Sequence, residues 1–331
     1  MIYDVSDVSF ATKFPDVSFA LTPIPLSALS EMARAHPPRL PDVIGVGPPR
    51  TGTTWLHNVL AGHVDLPYGV KETLYFTTFY HKGFDWYAHH FRYATGERKI
   101  AEICPYFFDT ETLDRIRTLM PKCKIITTMR DPVDRLYSVY KTLRHSAQAR
   151  RGTFDQTLNV WPSMAKGNRY ASHLKGWFDT FGRENVLVTM YDELRSDPQQ
   201  YADRVTDFIG IERIALSARP GIGDDVNSFS RAPKNRKLAR NAFKFMYWLK
   251  GHQAYALVNQ LERAGVWEFC NGRGEPFPRL TPEQDARLRE RYRPEVEALE
   301  EMLMIDLSAW KKPRASRIVE TSAELPRLAS G

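Results

Sequence analysis

The feature that most constrains the fold is a short apolar run joined by a loop to a helical segment. The run VIGVG, from Val43 to Gly47, contains only apolar residues and glycine, and it stops at Pro48 and Pro49. A run of this length with such a boundary is typical of a buried strand. Apolar residues then recur at helical spacing over residues 53–61. This part of the chain therefore predicts a strand, a tight loop and a helix.

The same alternation of strand and helix returns further along the chain. Two more short runs predict buried strands, KIITTM from Lys124 to Met129 and VLVTMY from Val186 to Tyr191. Helical patterns begin after them, at Val133 and near residue 198, and another lies around Trp177. Alternating strands and helices indicate an α/β protein with a parallel sheet. We expect a single P-loop-like domain with a central parallel sheet flanked by helices.

The C-terminal third predicts a helical extension of this domain. The segment TPEQ, from Thr281 to Gln284, is a capping-box pattern with proline at the first helical position. The apolar residues that follow mark one helix face: Leu288, Tyr292, Val296, Leu299 and Leu303. Residues 221–237 are polar and basic, and they predict a loop. We divide the chain into an N-terminal arm at 1–41, the main domain at 42–310 and a flexible tail at 311–331.

Charge and cysteine content narrow the classes of partner and compartment. Lysine and arginine number 46 against 39 aspartates and glutamates, which gives a net charge of +7 and favours an anionic partner. Cys104, Cys123 and Cys270 have no Cys or His neighbour at metal-ligand spacing, so we expect neither a disulfide framework nor structural zinc. No signal peptide is recognisable at MIYDVSDVSF, and no apolar run approaches the roughly 18 residues of a membrane helix. We therefore expect a cytoplasmic protein without a membrane span.

The loop after the first strand, GPPRTGTTWL, predicts a phosphate site. A helix N-terminus presents unpaired N–H groups and the positive end of the helix dipole, which both suit a phosphate. Gly52 allows a close backbone approach, and Thr53 and Thr54 add hydroxyl donors. The spacing of Gly47 and Gly52 matches the P-loop of nucleoside triphosphatases, but that motif has lysine where this chain has Thr53. Because the basic residue is Arg50 instead, we expect a phosphate ligand other than a magnesium triphosphate.

A second anion-binding element follows the second predicted strand. The segment MRDPVDRLYSVY places Arg130 at the strand end, Pro132 near the start of a helix and Ser138 two turns into it. Arg130 could donate two hydrogen bonds to a phosphate, and Ser138 could add a hydroxyl donor. The alternative is that Arg130 forms an ion pair with Asp131 or Asp134. Two anion elements at neighbouring strand ends predict a nucleotide with two separated phosphates.

These segments together resemble the sulfotransferases that use adenosine 3′-phosphate 5′-phosphosulfate (PAPS). PPRTGTTWL is similar to the family's 5′-phosphosulfate loop, and MRDPVDRLYSVY is similar to its 3′-phosphate element. VKETLYF and HKGFDWYAHHF resemble the heparan sulfate glucosaminyl N-/3-O-sulfotransferase branch and its bacterial relatives. RYASHLKGWFDTFGRENVLVTMYDELRSDP resembles the family's later helix, strand and helix, and VNSFSRAPKNRKL its C-terminal basic loop. The resemblance covers about residues 42–240.

The resemblance implies roles for individual residues. Glu72 matches the glutamate that the heparan branch uses as general base, and Arg50 stands where the family commonly has lysine against the leaving phosphate. Arginine effectively never deprotonates, so the role of Arg50 should be electrostatic. The other implied residues are Thr51, Gly52, Thr53 and Thr54 at the 5′-phosphate, Arg130 and Ser138 at the 3′-phosphate, Arg231 and Lys234 in the basic loop, and Lys71 and Glu102 at the acceptor. The heparan enzymes follow that last glutamate with lysine, where this chain has Ile103, which weakens the match to a heparan-like acceptor.

The implied activity is sulfuryl transfer from PAPS to a hydroxyl or amine of a carbohydrate or small molecule, without a metal. Two other functions fit parts of the sequence. A P-loop kinase or ATPase would need magnesium and a lysine in place of Thr53. A non-catalytic polyanion-binding protein would use the basic residues of 231–240. We expect no nucleic-acid partner, because no module that binds nucleic acid is recognised. Neither the acceptor nor the oligomeric state is identified by the sequence.

Overall fold

The structure, a computed structural model, describes residues 39–94, 96–149, 152–162, 164, 167–218, 231–271 and 273–313. Most of the N-terminal arm and almost all of the predicted tail lie outside the described residues. Residues 221–230 of the predicted basic loop also lie outside them. The predicted domain boundaries therefore stay predictions.

A four-stranded parallel sheet forms the centre of the protein. Its strands are β1 at Val43–Gly47, β2 at Ala101–Ile103, β3 at Lys124–Met129 and β4 at Val186–Met190. The strand order is β2-β1-β3-β4, and every neighbouring pair is parallel. Every residue of β1 is buried, as expected for an apolar strand covered on both faces. The predicted α/β fold with a central parallel sheet is confirmed.

Helices connect these strands and extend the fold after them. Those before residue 220 are α1 Thr53–Leu60, α2 Phe84–Ala88, α3 Thr110–Leu119, α4 Pro132–His145, α5 Phe154–Val160, α6 Tyr170–Phe181, α7 Tyr191–Ser196 and α8 Pro198–Ile209. Those after residue 230 are α9 Arg236–Gly251, α10 Tyr255–Arg263, α11 Val266–Asn271, α12 Pro282–Leu303 and α13 Ser308–Lys311. Short 3₁₀ turns span Tyr80–Lys82, His89–Phe91, Arg183–Asn185 and Leu216–Ala218. A two-stranded antiparallel sheet pairs β5, Arg231–Pro233, with β6, Arg273–Pro276.

Two hydrophobic layers cover the two faces of the central sheet. Successive strand residues point to opposite faces, so Ile44 and Ile125 belong to one layer while Val43 and Ile126 belong to the other. The helical residues of the first layer include Leu174, Trp177, Val296 and Leu299, and those of the second include Leu56, Val59, Tyr201 and Val205. Helices α6 and α12 thus pack on one face, and α1 and α8 pack on the other.

The predicted capping box begins the long helix α12. The Thr281 side chain accepts a hydrogen bond from the Gln284 N–H at 3.2 Å, and the Gln284 side chain accepts one from the Thr281 N–H at 3.0 Å. Pro282 occupies the first turn, where its missing N–H costs nothing. The predicted helical C-terminal extension is confirmed in the described residues.

Two boundaries differ from the sequence prediction. The third predicted strand ends at Met190, one residue early, and Tyr191 begins α7 instead. The neighbouring strand β3 ends at Met129, which pairs with Met190, so β3 has no residue to pair with Tyr191. The segment 231–237 is not a continuous loop, since it contains β5 and the start of α9. The side chain of Asn235 accepts a hydrogen bond from the Leu238 N–H at 3.1 Å and so caps α9.

Candidate functional site

The phosphate loop turns sharply between the end of β1 and the start of α1. Arg50 and Gly52 both have left-handed backbones, with φ of 73° and 95°. The left-handed backbone favours glycine at position 52, and a Cβ atom there would lie 2.6 Å from Leu194 Cδ2 and displace that side chain. Gly52 is the N-cap of α1 and has no side chain to cap the helix. The first N–H groups of α1 therefore receive no side-chain cap from Gly52, and a helix start of this kind suits an anion.

Buried side chains hold this loop from below. The Thr51 hydroxyl is fully buried and donates to the Pro48 carbonyl at 2.6 Å, so Thr51 can offer a ligand only its backbone N–H. Arg135 of α4, 1% exposed, donates to the Pro49 carbonyl at 3.4 Å and to Asn168 Oδ1 at 2.7 Å. Sequence reasoning missed Arg135, although it lies in the same motif as Arg130 and Ser138. Its contacts connect the phosphate loop to the second anion element.

The two predicted anion elements meet in one cationic cluster. Arg50 Nε donates to Ser138 Oγ at 2.9 Å, and the Arg130 guanidinium donates to the Arg50 carbonyl at 3.0 Å. Burial and the nearby charge of Arg130 lower the pKa of Arg50 to about 10, so Arg50 remains charged at neutral pH. The structure thus brings together three predicted site residues at the ends of β1 and β3.

The guanidinium of Arg130 is directed toward the loop, and Asp131 has other partners. The Arg130 guanidinium lies 4.2 Å from the ring centroid of Tyr191. The Asp131 carboxylate accepts hydrogen bonds from two N–H groups at the start of α4, at 2.9 and 3.1 Å, and pairs with Arg289 at 2.9 Å. The Asp131 carboxylate is thus engaged by the start of α4 and by Arg289, and the anion-binding role of Arg130 stays a prediction.

Lys71 and Glu72 lie beside the first turn of α1. Lys71 Nζ is 2.5 Å from Glu72 Oε1 and 3.4 Å from Thr53 Oγ1. Burial by itself would raise the pKa of Glu72, but nearby positive charges, that of Lys71 first, and the hydrogen bond from Lys71 outweigh burial and lower the pKa to about 2. The Glu72 side chain is 23% exposed. An ionised and accessible carboxylate therefore lies next to the helix end that suits a phosphate.

Glu102 lies elsewhere than its predicted role requires. The residue is 0% exposed, and its carboxylate accepts hydrogen bonds from Thr73 Oγ1, from Tyr87 OH at 2.8 Å and from Tyr106 OH at 3.1 Å. Burial raises the pKa of Glu102, and the hydrogen bonds oppose that rise. A side chain enclosed in this way does not reach an acceptor in solution. The expectation that Glu102 contacts the acceptor is therefore wrong for this conformation.

Arg231 and Lys234 lie near the far end of α4. The Arg231 carbonyl lies 3.0 Å from Nδ1 of His145, which is seven residues after Ser138, or about 10 Å along a helix. Lys234 is exposed and, with Arg144 and Arg236, lines a cavity of about 250 Å³. Their predicted contact with the nucleotide stays a prediction.

The described part of the chain also bears on metals and membranes. Among these residues, no cluster of three or more His, Cys, Asp or Glu side chains has an arrangement that could hold a metal ion. Within the same residues, no helix combines the length and the hydropathy needed to cross a membrane. The three cysteines are free and buried.

Comparison with known proteins identifies the domain that contains this site. A model of the sulfotransferase domain family matches residues 40–219. Human bifunctional heparan sulfate N-deacetylase/N-sulfotransferase 3 is 31% identical over an alignment 196 residues long, which covers 52% of this chain and 22% of that protein. Bifunctional heparan sulfate N-deacetylase/N-sulfotransferase 1 from Xenopus laevis is 32% identical to this chain, with the same coverage of both proteins. The chain thus matches less than a quarter of the length of these relatives.

A solved structure supports the fold. The crystal structure of a sulfotransferase from Alicyclobacillus acidocaldarius aligns with a TM-score of 0.58 and 22% sequence identity. The alignment covers 83% of this chain and 100% of that one. It therefore extends well beyond the 40–219 segment that the family model matches.

Proposed function

Because the chain belongs to the sulfotransferase domain family, we propose that it transfers a sulfuryl group from PAPS to a hydroxyl or amine of an acceptor. The acceptor O–H or N–H loses its proton to Glu72 as its oxygen or nitrogen bonds to sulfur. The bond between sulfur and the 5′-phosphate oxygen breaks, and its electron pair stays on that oxygen. The products are the sulfated acceptor and adenosine 3′,5′-bisphosphate.

The observation that carries this proposal is the arrangement at one edge of the sheet. The Lys71–Glu72 pair lies beside Thr53 at the start of α1, while Arg50, Arg130 and Ser138 meet at the ends of the neighbouring strands. A nucleotide with a 5′-phosphosulfate and a 3′-phosphate needs both a helix N-terminus and a second cationic site. Because the sulfuryl group is attached to the 5′-phosphate, its transfer also requires a base near the helix N-terminus that binds this phosphate.

Electrostatic stabilisation of the leaving phosphate is the second requirement of the reaction. The first N–H groups of α1 and the charges of Arg50 and Lys71 are already positioned, so little reorganisation is needed as negative charge develops. Glu72 is ionised at neutral pH, as a general base must be. These residues would bind PAPS by charge and hydrogen bonds, without a step that needs a metal.

For the acceptor, we propose a carbohydrate in preference to another small molecule. The support is the similarity to enzymes whose names specify heparan sulfate. Ile103, which stands where those enzymes have lysine, is fully buried in β2, so this difference does not by itself change the charge that an acceptor meets.

An acceptor screen tests the proposed function. Purified protein would be incubated with PAPS and a panel of amino sugars, neutral oligosaccharides, heparan fragments and phenols, and release of adenosine 3′,5′-bisphosphate would be followed. We expect release that depends on one acceptor class and does not require magnesium. Hydrolysis of magnesium ATP, with no acceptor-dependent release from PAPS, would instead support the kinase or ATPase alternative.

A further inference from the structure

A buried carboxylate that the proposed reaction does not use lies next to the Glu72 segment. Glu102, on β2, is the common acceptor for hydroxyl groups from three separate parts of the chain, Thr73, Tyr87 and Tyr106. Burying a carboxylate is costly unless hydrogen bonds replace its water. The three hydroxyls provide those bonds, and each is thereby held in a fixed position.

Thr73 connects this buried group to the candidate base. It directly follows Glu72 and is 1% exposed. Its hydroxyl donates to Glu102 Oε1 and accepts a hydrogen bond from the Tyr75 N–H at 3.2 Å. Both the side chain of Thr73 and the backbone two residues later are therefore tied to the same point on β2.

The backbone after Thr73 adopts an unfavourable conformation. Leu74 has φ of 54°, in the left-handed region that residues with a Cβ atom rarely occupy. Its carbonyl accepts hydrogen bonds from the N–H groups of Thr77, at 3.4 Å, and Phe79, at 3.1 Å. Such a conformation persists only where surrounding contacts enforce it, and it is found most often at functional sites. The Glu102–Thr73 bond directly precedes this residue, and the bond from the Tyr75 N–H to the Thr73 hydroxyl spans it.

We propose that Glu102, acting through Thr73, is a positioning residue that fixes the backbone at Glu72 and so directs the Glu72 carboxylate toward the acceptor. This inference rests on the proposed function, in which Glu72 is the general base. A displacement of about 1 Å can cost roughly 100-fold in rate. The effect of losing the Thr73 hydroxyl should therefore appear in catalysis and not in nucleotide binding.

The test compares Thr73→Val with Thr73→Ser and Tyr87→Phe. Valine has the shape of threonine but lacks the hydroxyl, whereas serine retains it. Tyr87→Phe removes a donor from the other carboxylate oxygen, Oε2, but keeps the ring that stacks on Tyr75 and leaves the Glu102–Thr73 hydrogen bond in place. For each variant, kcat, the KM for PAPS, the Kd for adenosine 3′,5′-bisphosphate and the unfolding midpoint would be measured.

We expect Thr73→Val to lower kcat by about 10- to 100-fold with little change in nucleotide Kd or KM. Thr73→Ser should recover most of that loss, and Tyr87→Phe should keep kcat near the original value. Two outcomes would overturn the inference: normal kcat in Thr73→Val, or equal losses of kcat in Thr73→Val and Tyr87→Phe that follow their losses of stability.

Glu72→Gln, assayed alongside, separates this inference from the proposed function. Inactive Glu72→Gln with normal kcat in Thr73→Val overturns the positioning role alone. If Glu72→Gln remains active, Glu72 is not the general base, and Glu102 then has no role in catalysis through the position of Glu72. Inactive Glu72→Gln, together with the serine rescue, supports both.

Discussion

At the scale of single residues, the candidate site depends on a few side chains whose neighbours set their charge. Partial burial would raise the pKa of Glu72, yet the charge of the adjacent Lys71 helps to keep its carboxylate ionised. Arg50 and Arg130 are held close together despite their like charges. Two arginines at this spacing favour a strongly anionic ligand, because such a ligand relieves their repulsion.

Glu72→Gln should remove turnover and leave the nucleotide site intact. Glutamine has nearly the same shape but accepts no proton at neutral pH, and a positioned base contributes about 100- to 10,000-fold. We expect kcat to fall within that range, with unchanged bisphosphate affinity and melting temperature. A variant with near-normal kcat and altered stability would show that Glu72 is structural.

Lys71→Met should change the pH dependence of catalysis. Lys71 is the first of the positive charges that lower the pKa of Glu72, so its removal should raise that pKa. The acidic limb of kcat/KM should then move to higher pH. Lys71→Arg preserves the charge and should leave the limb low. If the acidic limb did not move in Lys71→Met, the base that titrates in that limb would not be Glu72.

Arg130→Ala should discriminate between two nucleotides that differ by one phosphate. Affinity for adenosine 3′,5′-bisphosphate should fall by about 10- to 100-fold, as expected for lost hydrogen bonds to a charged group. Adenosine 5′-phosphosulfate lacks the 3′-phosphate and should lose much less. Arg130→Lys, which keeps the charge without the two-pronged geometry, should be intermediate. Equal losses of affinity for both nucleotides would mean that Arg130 does not contact the 3′-phosphate.

At the scale of elements, α4 joins the nucleotide site to the C-terminal helices. Arg289 of α12 is buried and forms two ion pairs, each at 2.9 Å. One partner is Asp131 at the start of α4, and the other is Asp285, one turn before Arg289 on α12 itself. It also donates to the Trp310 carbonyl at 2.6 Å. The start of α4, which directly follows Arg130, is thus anchored by a helix more than 150 residues away in the chain.

Arg289→Met should destabilise the protein by about 3–5 kcal/mol, because it leaves the Asp131 and Asp285 carboxylates buried without their cation. Urea unfolding would measure the loss. Arg293 provides a matched control on the same helix, since its pair with Glu290 is exposed and its replacement should cost about 1 kcal/mol at most. Equal effects of the two substitutions would mean that the buried pairs add nothing to stability.

The same elements show what the sequence alone can predict. Strands β1 and β3 match their predictions to the residue, because a short run rich in apolar and β-branched residues between loop residues is typical of a buried strand. The phosphate loop and the Arg130 element are recognisable because their chemistry depends on local order along the chain. By contrast, β5 is only three residues long, and α9 begins in a strongly polar segment, so neither has a clear period.

The site residues that sequence reasoning misplaced or missed depend on distant contacts. A glutamate on a three-residue strand looks the same in sequence whether it faces solvent or three hydroxyls, so the burial of Glu102 could not be predicted. The support that Arg135 provides requires the loop, α4 and Asn168 to meet in space. These are tertiary contacts, and no local pattern encodes them.

At the scale of the whole molecule, nucleotide binding should be visible as stabilisation. Adenosine 3′,5′-bisphosphate at ~100 times its Kd should add about 2.7 kcal/mol to the free energy of unfolding. We expect this shift without magnesium, and a much smaller one from magnesium ATP. Thermal unfolding with each ligand measures both. A larger response to magnesium ATP would contradict the assignment of the phosphate loop to PAPS.

The pairing of Arg289 with Asp131 has a practical consequence for anyone who shortens this chain. The family match ends at residue 219, which invites a truncated protein that stops there. Such a fragment would contain every proposed catalytic residue, yet it would strip the start of α4 of its buried cation and expose the sheet face that Val296 and Leu299 cover. We therefore expect the unit that folds to extend beyond the recognisable domain, at least through α13, where the Trp310 indole donates to Asp192 at 2.7 Å and Lys311 pairs with Glu300 at 2.6 Å.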